Sequence, residues 1–490
     1  MIHDLTSLVN IINELKCDGS KIVLCHGTFD GLHVGHIKHF KAAKKFGDVL
    51  VVTLTPDEYV NKGPGRPFYG EKLRAEAVDA IRCVDYVAIT KWATGVETIK
   101  LLRPNFYVKG LDYEVSDNPD VQLEKMAVEQ AGGRIVYTNT PLYSSSHVIN
   151  QCTLSDDVLR FIGTVNSSEL KSYLKKMLSL NVLVLGETVI DEYKFGAHLG
   201  KIRRENIIEF KEENKETYLG GAGIIANHLS TFVNSVSLVT MVGDEDKQWQ
   251  LIDRNLNKDI SKYFVQKPNS PTPTKIRYIE KHTGNRNLFK VSLMNDTPDV
   301  VVENDICNTL TGLIHVFDLV IVADYGHGMI TEDVQNLLYG ANYLAVSTQI
   351  NAENYGFNTL DKYRTLNYGC INEDELRLVN KSRFNDIVHE ITNFKFPVNT
   401  LMVTRGHNGC IILRNSKVTT VPALTTIPVD SMGAGDAVFA LTSPLAYLKA
   451  PVEIIGFVGS AAGALACSWV GNKKYVTKIE LTKYMETLLK

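Results

Sequence analysis

Between residues 26 and 36 the chain reads HGTFDGLHVGH, with His33 and His36 three positions apart around Gly35, directly after an apolar run and ahead of a helical pattern. A helix start offers free N–H groups and a partial positive charge, which suits a phosphate, and Gly31 and Gly35 let the backbone approach a ligand closely. Two imidazoles there can donate to a triphosphate and stabilise charge on its α-phosphate as pyrophosphate departs. An isolated HxxH is more often a pair of surface histidines in a turn, because short motifs match by chance. Asp30, at the strand end, suits holding geometry or a metal and equally a structural cap.

A second stretch, DSMGAGDAVFA at residues 430–440, raises the same question. Gly433, Ala434 and Gly435 open a helix whose successive N–H groups can receive the charge of a transferring γ-phosphoryl. Asp436 can then accept the proton of an attacking hydroxyl. Taken alone, GAGD reads equally well as a helix start with an acidic cap.

The elements that must position these residues follow from periodicity. Across residues 21–150, Val- and Ile-rich runs (KIVLCHG, DVLVVTLT, DYVAIT, NFYVKG, RIVYTNT) alternate with helical patterns. That alternation predicts an open parallel sheet covered by helices, with ligands at the carboxyl ends of its strands. Residues 154–178 are polar with helical patches and no strand-like run, and are expected to form a linker. From residue 179 to 490 a second β/α series runs through NVLVLGETVIDEY, SVSLVTMVG, DLVIVADYG, YLAVSTQI and TLMVTRG. Within it, PTPTKIRYIEKHTGNRNLFKVSL alternates as a hairpin would and is expected to form a small β lid.

Length and composition bound the function. At 490 residues, 44% hydrophobic and 22% charged, the chain has room for two globular domains. A net charge of −3 without a dense Lys/Arg block argues against nucleic acid or an anionic membrane as partner. No run reaches the roughly 20 apolar residues of a membrane span, and the start lacks the features of an export signal. The eight cysteines form no CxxC pair and are expected as reduced thiols in a cytoplasmic protein. His147, His228, His282 and His407, the tryptophans and the run KEENKE are expected to pack or face solvent.

The segment FDGLHVGH resembles the signature of the cytidylyltransferase-like nucleotidyltransferases. The resemblance continues through GPGRPFYGEKLRAEAVDAIRCVDYV, LLRPNFYVKGLDY, AGGRIVYTNT and YSSSHVIN, over residues 20–150. It implies a Rossmann-like domain over residues 1–153 in which His33, His36 and Lys44 act on the triphosphate. It also implies nucleotide contacts by Gly27, Thr28, Phe29, Lys109 and the loop of Ser144, Ser145 and Ser146. The order of segments looks most like the adenylyltransferase half of bifunctional ADP-heptose synthesis enzymes, with His26 where those enzymes carry Asn.

YLGGAGIIANHL, ADYGHGM, INEDE, VTRGHNGC and GAGD occur in the order seen in ribokinase-like (PfkB) sugar kinases. That resemblance implies a ribokinase-like α/β domain with a β lid, with Asp436 as base and Gly433, Ala434 and Gly435 as anion hole. Asn372 and Glu375 would organise Mg²⁺ indirectly, and Thr404, Arg405 and Gly406 would lie near ATP. Asp191, Gly220, Gly221, Asn227, Lys275 and Arg277 would contact the sugar. The chain departs from the heptose kinases at STQINAENYGFN, where they place Asp-Pro-Lys, and at Glu187, His327 and Pro444, where a kinked or broken helix is expected.

Together the two resemblances imply two phosphate chemistries on one sugar. ATP would phosphorylate a heptose-phosphate-like sugar at its anomeric hydroxyl, and ATP or CTP would supply a nucleotidyl group to the 1-phosphate. The familiar bifunctional enzymes carry the kinase first, whereas this chain carries it second. The alternatives are a cytidylyltransferase for a polyol phosphate, or a nucleotidyltransferase with a non-catalytic sugar-binding module. Expected partners are sugar phosphates and nucleoside triphosphates, with self-association into a homo-oligomer.

Overall fold

The computed structural model describes residues 2–114, 119–139, 145–201, 208–282, 286–351, 354–425 and 428–490. The chain separates into two compact units, one of residues 1–154 with 486–490 and one of residues 155–485.

The first unit runs α1 (Leu5–Cys17), β1 (Ile22–Gly27), α2 (Val34–Ala43), β2 (Val49–Leu54), α3 (Glu71–Asp79), β3 (Tyr86–Ile89), α4 (Val96–Leu102), β4 (Phe106–Gly110), α5 (Pro119–Gln130), β5 (Arg134–Thr138) and α6 (Ser145–Thr153). Its sheet has the order β3-β2-β1-β4-β5, parallel throughout. β1 and β2 are apolar on both faces because helices cover both sides of such a sheet. Leu24, Val51 and Tyr107 pack with Leu8 and Ile12 of α1 on one face, and Val23, Val52 and Val108 with Phe40 and Val78 on the other. Chain direction across the sheet reverses between β1 and β4, the switch point where open α/β sheets leave a crevice.

The second unit opens with α7 (Asp156–Ile162) and α8 (Ser167–Met177). The expected linker is therefore a pair of helices, a correction with a local cause. Ser155 and Asn166 cap their N-termini, and Leu170, Leu174 and Met177 bury one face at helical spacing.

The unit continues with β6 (Asn181–Gly186), β7 (Thr188–Lys201), β8 (Ile208–Gly221), α9 (Ala222–Leu229), β9 (Ser235–Gly243), α10 (Trp249–Asn255), β10 (Ile260–Lys267), β11 (Thr274–Glu280) and β12 (Arg286–Leu293). Then come α11 (Val300–Leu313), β13 (Leu319–Asp324), α12 (Glu332–Leu338), β14 (Leu344–Thr348), β15 (Leu366–Asn372), α13 (Glu373–Val379), α14 (Ile387–Thr392), β16 (Val398–Thr404), β17 (Cys410–Arg414), β18 (Lys417–Val421), α15 (Ala434–Tyr447), α16 (Val452–Ala466) and α17 (Lys478–Leu488).

Its main sheet has nine strands in the order β10-β9-β6-β13-β14-β15-β16-β17-β18, with the switch point between β6 and β13. A second sheet, β12-β11-β7-β8, contains the expected hairpin of β11 and β12 and extends it with two long strands. NVLVLGETVIDEY, one run in the sequence, is divided at Glu187 between the two sheets. α15 runs on through Pro444 without a break.

Candidate functional sites

In the first unit β1 ends at Gly27, and Phe29 follows with a left-handed φ of 49°. Its ring meets His36 edge-on at 5.5 Å. The carbonyl of Thr28 accepts from the buried Arg74 guanidinium at 2.5 Å. Asp30, 1% exposed, accepts the N–H groups of Phe68 and Tyr69 at 2.9 and 3.1 Å, with Arg66 at 3.6 Å. Asp30 thus ties the segment after β2 to the end of β1, the geometry-holding role.

His33 caps α2, its Nδ1 accepting from Gly35 N–H at 3.0 Å, and its ring stacks on His36 at 4.0 Å. His36 Nδ1 is buried with no hydrogen-bond partner among the described residues. Burial pushes His36 down to about 3, and the neighbouring His33, His39 and Lys62 add to the shift. Burial also lowers His33. Both rings are therefore neutral N–H donors before an anion enters.

Lys62 was not expected here. Burial lowers it to about 8 while Asp30 pulls it back, and Arg66 and Arg74 stand among the cations around it. Lys62, not Lys44, is the lysine that joins the histidines. Lys44 lies roughly 12 Å along the helix from His36 and is a correction. It binds the Asp85 carboxylate and the Asp48 carbonyl at the carboxyl end of α2, where the helix dipole favours a cation.

Lys109, at the end of β4, forms a buried ion pair with Glu124 at 2.9 Å and lies 5.2 Å over the Tyr107 ring. A buried charge needs a partner, and Glu124 supplies it where the resemblance implied phosphate. Glu124 also accepts from Gly95 N–H at 3.0 Å. His26 is nearly buried, its Nδ1 3.0 Å from Thr53 Oγ1, and burial holds it at about 4. Ser145 and Ser146 open α6, so the expected loop is in these positions a helix N-terminus. Ser144 lies outside the described residues.

In the second unit Glu187 and Asp324, both fully buried, sit at the ends of β6 and β13. Glu187 accepts the N–H groups of Tyr325, His327 and Met329 at 3.0, 3.1 and 3.3 Å and so shapes the DYGHGM turn. Asp324 is met by Lys362 at 2.5 Å and by the Tyr363 hydroxyl at 2.6 Å.

Facing that turn, Gly433 caps α15 with a φ of 75°. Nothing lies within 4 Å of where a Gly435 side chain would begin, so the helix start is uncrowded there, while the Ala434 N–H donates to the Ser431 carbonyl at 3.4 Å. Asp436 accepts from the Tyr325 hydroxyl at 2.6 Å. Burial raises Asp436 to about 7, with Asp191 adding to the rise and Tyr325 and Lys275 opposing it. A carboxylate near neutrality is matched to general-base work.

Asp191 pairs with Arg277 at 2.5 Å, and a side chain at Gly220 would begin 2.7 Å from its carboxylate. Gly221, at φ +62°, would drive a Cβ to 2.2 Å from the Glu187 carbonyl. Lys275 lies 5.5 Å over the Tyr325 ring. Asp191, Gly220, Gly221, Lys275, Arg277 and Asp436 thus gather as expected.

Asn227 does not join them. Its amide donates to the Asn255 carbonyl and accepts from Asn257 N–H, which makes it a buried tie to α10. Asn472, unmarked by any motif, takes a place beside the Gly433 turn. A Cβ on Gly433 would stand 1.8 Å from its Oδ1 and one on Gly220 3.5 Å from its Nδ2.

Asn372 and Glu375 form a reciprocal cap at the start of α13, and Ile350 N–H also reaches Glu375 at 3.2 Å. Burial raises Glu375 to about 7. Asn372 on β15 pairs in register with Thr404 on β16, and Arg405 binds Glu373 at 2.9 Å ahead of the turn at Gly406. The metal and nucleotide candidates therefore share one sheet end. Among the described residues no group of three or more His, Cys, Asp or Glu could hold a metal directly.

A family model described as cytidylyltransferase-like matches residues 24–151, and one described as pfkB family carbohydrate kinase matches residues 179–474. The bifunctional protein HldE of Geobacter metallireducens is 43% identical over 165 residues, covering 33% of this chain and 32% of that one. The HldE of Geotalea uraniireducens is 41% identical over 136 residues, 27% of each. The matched stretch thus spans about a third or less of these relatives' length. Phosphofructokinase-2 from Escherichia coli superposes with a TM-score of 0.50 at 13% identity, over 64% of this chain and 100% of that one, a likeness of fold. With the kinase model matched over more than half its length, the chain belongs to the pfkB carbohydrate kinase family and carries a cytidylyltransferase-like domain ahead of the kinase domain.

Proposed function

We propose that the chain is a bifunctional nucleotide-sugar synthesis enzyme whose second unit phosphorylates a heptose-phosphate-like sugar at its anomeric hydroxyl with ATP. Its first unit then transfers a nucleotidyl group from ATP or CTP to that 1-phosphate. The observation that carries the reading is Asp436, a half-buried carboxylate whose pKa is raised to about 7 at the N-terminus of α15, beside Asp191, Lys275 and Arg277.

In the kinase step the anomeric hydroxyl gives its proton to Asp436 and attacks the γ-phosphorus, and ADP leaves as the bond to the bridging oxygen breaks. The N–H groups of the Gly433, Ala434 and Gly435 turn receive the phosphoryl charge. Asp191 and Arg277 hold the sugar hydroxyls, and Lys275 closes over them. Mg²⁺ bound with ATP would neutralise phosphate charge, with Glu375 and Asn372 reaching it through its waters, since backbone N–H groups already occupy both Glu375 oxygens. Thr404, Arg405 and Gly406 border the nucleotide.

In the transfer step a phosphate oxygen of the sugar 1-phosphate attacks the α-phosphorus and pyrophosphate leaves. His33, His36, Lys62 and the first turn of α6 stabilise the departing charge, while Gly27, Thr28 and Phe29 line the strand end beneath the nucleotide. The test is incubation of the full chain with ATP, Mg²⁺ and a heptose 7-phosphate, following sugar phosphate, and with each NTP and a panel of sugar 1-phosphates, following pyrophosphate. Formation of both products is expected; absence of any sugar phosphate across a panel of sugars would overturn the kinase half.

A further inference from the structure

We propose that Tyr325 is a positioning residue for Asp436: its hydroxyl holds one carboxylate oxygen and leaves the other to the sugar, while Asn351 and Asn354 hold the tyrosine in place. The proposal rests on the kinase reading above. Tyr325 is gripped on several sides. Its hydroxyl donates to Asp436 Oδ1 at 2.6 Å, and its N–H donates to Glu187 at 3.0 Å. Its carbonyl accepts from Asn351 Nδ2 at 3.3 Å and Asn354 Nδ2 at 2.9 Å. The residue is 6% exposed, and its ring lies against Gly221, where a Cβ would stand 3.3 Å from Cε2.

The two asparagines belong to the segment where the heptose kinases place Asp-Pro-Lys. In this chain that segment is built into the site. Asn358 donates to the carbonyls of Asp324 and Gln349 at 2.9 and 3.2 Å, and Ile350 N–H reaches Glu375. Gly326, at φ +71°, gives Asn354 its approach, since a Cβ there would stand 2.4 Å from the Asn354 amide. Asn351, Asn354 and Asn358 thus brace the turn that presents Tyr325, and Ile350 touches the carboxylate assigned to the metal's waters.

A carboxylate that accepts a hydrogen bond is stabilised in its charged form. The groups facing Asp436 are Asp191 on β7, Lys275 on β11 with Arg277 paired to Asp191, Cys370 on β15, and Tyr325 after β13. Of the groups that oppose the effect of burial, the tyrosine is the first and Lys275 the second.

The experiment labels aspartates with ¹³C at Cγ in the full chain and identifies the Asp436 resonance by its loss in Asp436→Asn. In Tyr325→Phe the Asp436 titration is expected to move up by about one pH unit, and in Asn354→Ala by less in the same direction. With ATP, Mg²⁺ and a heptose 7-phosphate, the acid limb of kcat should move with it, kcat near pH 6.5 falling about tenfold while KM stays within about twofold. An unchanged titration in both variants overturns the proposal, as does a Tyr325→Phe protein whose KM rises while its pH profile stays put. Undiminished phosphorylation by Asp436→Asn would instead remove Asp436 as the base, and absence of sugar phosphate with the parental protein would overturn the kinase reading; in either case the titration would still decide whether tyrosine holds the acid.

Discussion

His33 and His36 are close enough to stack, yet burial favours their neutral forms, so in the transfer step proposed above they would act by directional N–H donation. His36→Ala should lower pyrophosphate release by about 10²–10³ and leave sugar phosphorylation unchanged; release at the parental rate would remove His36 from the mechanism. Lys62 has a different signature. Its pKa is depressed to about 8, and a bound triphosphate would raise it again. Below pH 8 the lysine is already charged; above it, binding must first take up a proton. NTP affinity should therefore fall as pH rises past 8, and that limb should vanish in Lys62→Met, with binding at pH 7 weakened about tenfold. Calorimetry in buffers of different ionisation enthalpy reads the proton directly. Lys44→Met should stay within about twofold of parental, because its charge is spent on Asp85. Asp436→Asn keeps shape and loses the acceptor, so phosphorylation should vanish while sugar binding by calorimetry stays near parental. HxGH and GAGD were legible because a helix start after glycine is local geometry. Lys62, Tyr325 and Asn472 were not, because they reach their sites from segments whose approach only the tertiary fold determines.

At the scale of elements, the central strands β1 and β2 of the first sheet were legible because both faces are buried and the runs are almost wholly apolar. Two boundaries were not. The change of sheet at Glu187 is marked only by Gly186, Glu187 and Thr188 between two apolar stretches, and the role of that carboxylate, binding backbone N–H groups of another segment, is set by the tertiary fold. Residues 154–178 read as a linker because the polar faces of two short helices outweigh their narrow apolar stripes. The packing of α8 gives a direct check. Leu170 is 3% exposed, so Leu170→Ala should cost about 2–4 kcal/mol and lower the melting temperature; an unchanged melt would return the segment to linker status. Pro444 sits in a helix buried along that whole stretch, where hydroxyls of Thr442 and Ser443 bond the carbonyls of Val438 and Phe439. Burial of the surrounding turns keeps the helix intact despite the missing donor.

For the whole molecule, the decisive question is whether the product of one site is the substrate of the other. Each chemistry resides in its own set of residues, so a lesion in one unit leaves the other competent. Asp436→Asn should accept a supplied sugar 1-phosphate and release pyrophosphate with NTP, yet make no nucleotide-sugar from the unphosphorylated anomer. His36→Ala should accumulate the 1-phosphate and advance it only at the residual rate its lost donor allows. Neither variant alone should convert sugar, ATP and NTP to nucleotide-sugar at an appreciable rate. Mixed in equal amounts, they should do so after a lag set by the build-up of free 1-phosphate, because that intermediate can leave one chain and enter another. Chromatography of the nucleotide-sugar against time reads the outcome. If each variant retains its own half-reaction and the mixture still yields nothing, the sugar phosphate made by the second unit is not what the first unit consumes, and the two activities belong to separate substrates.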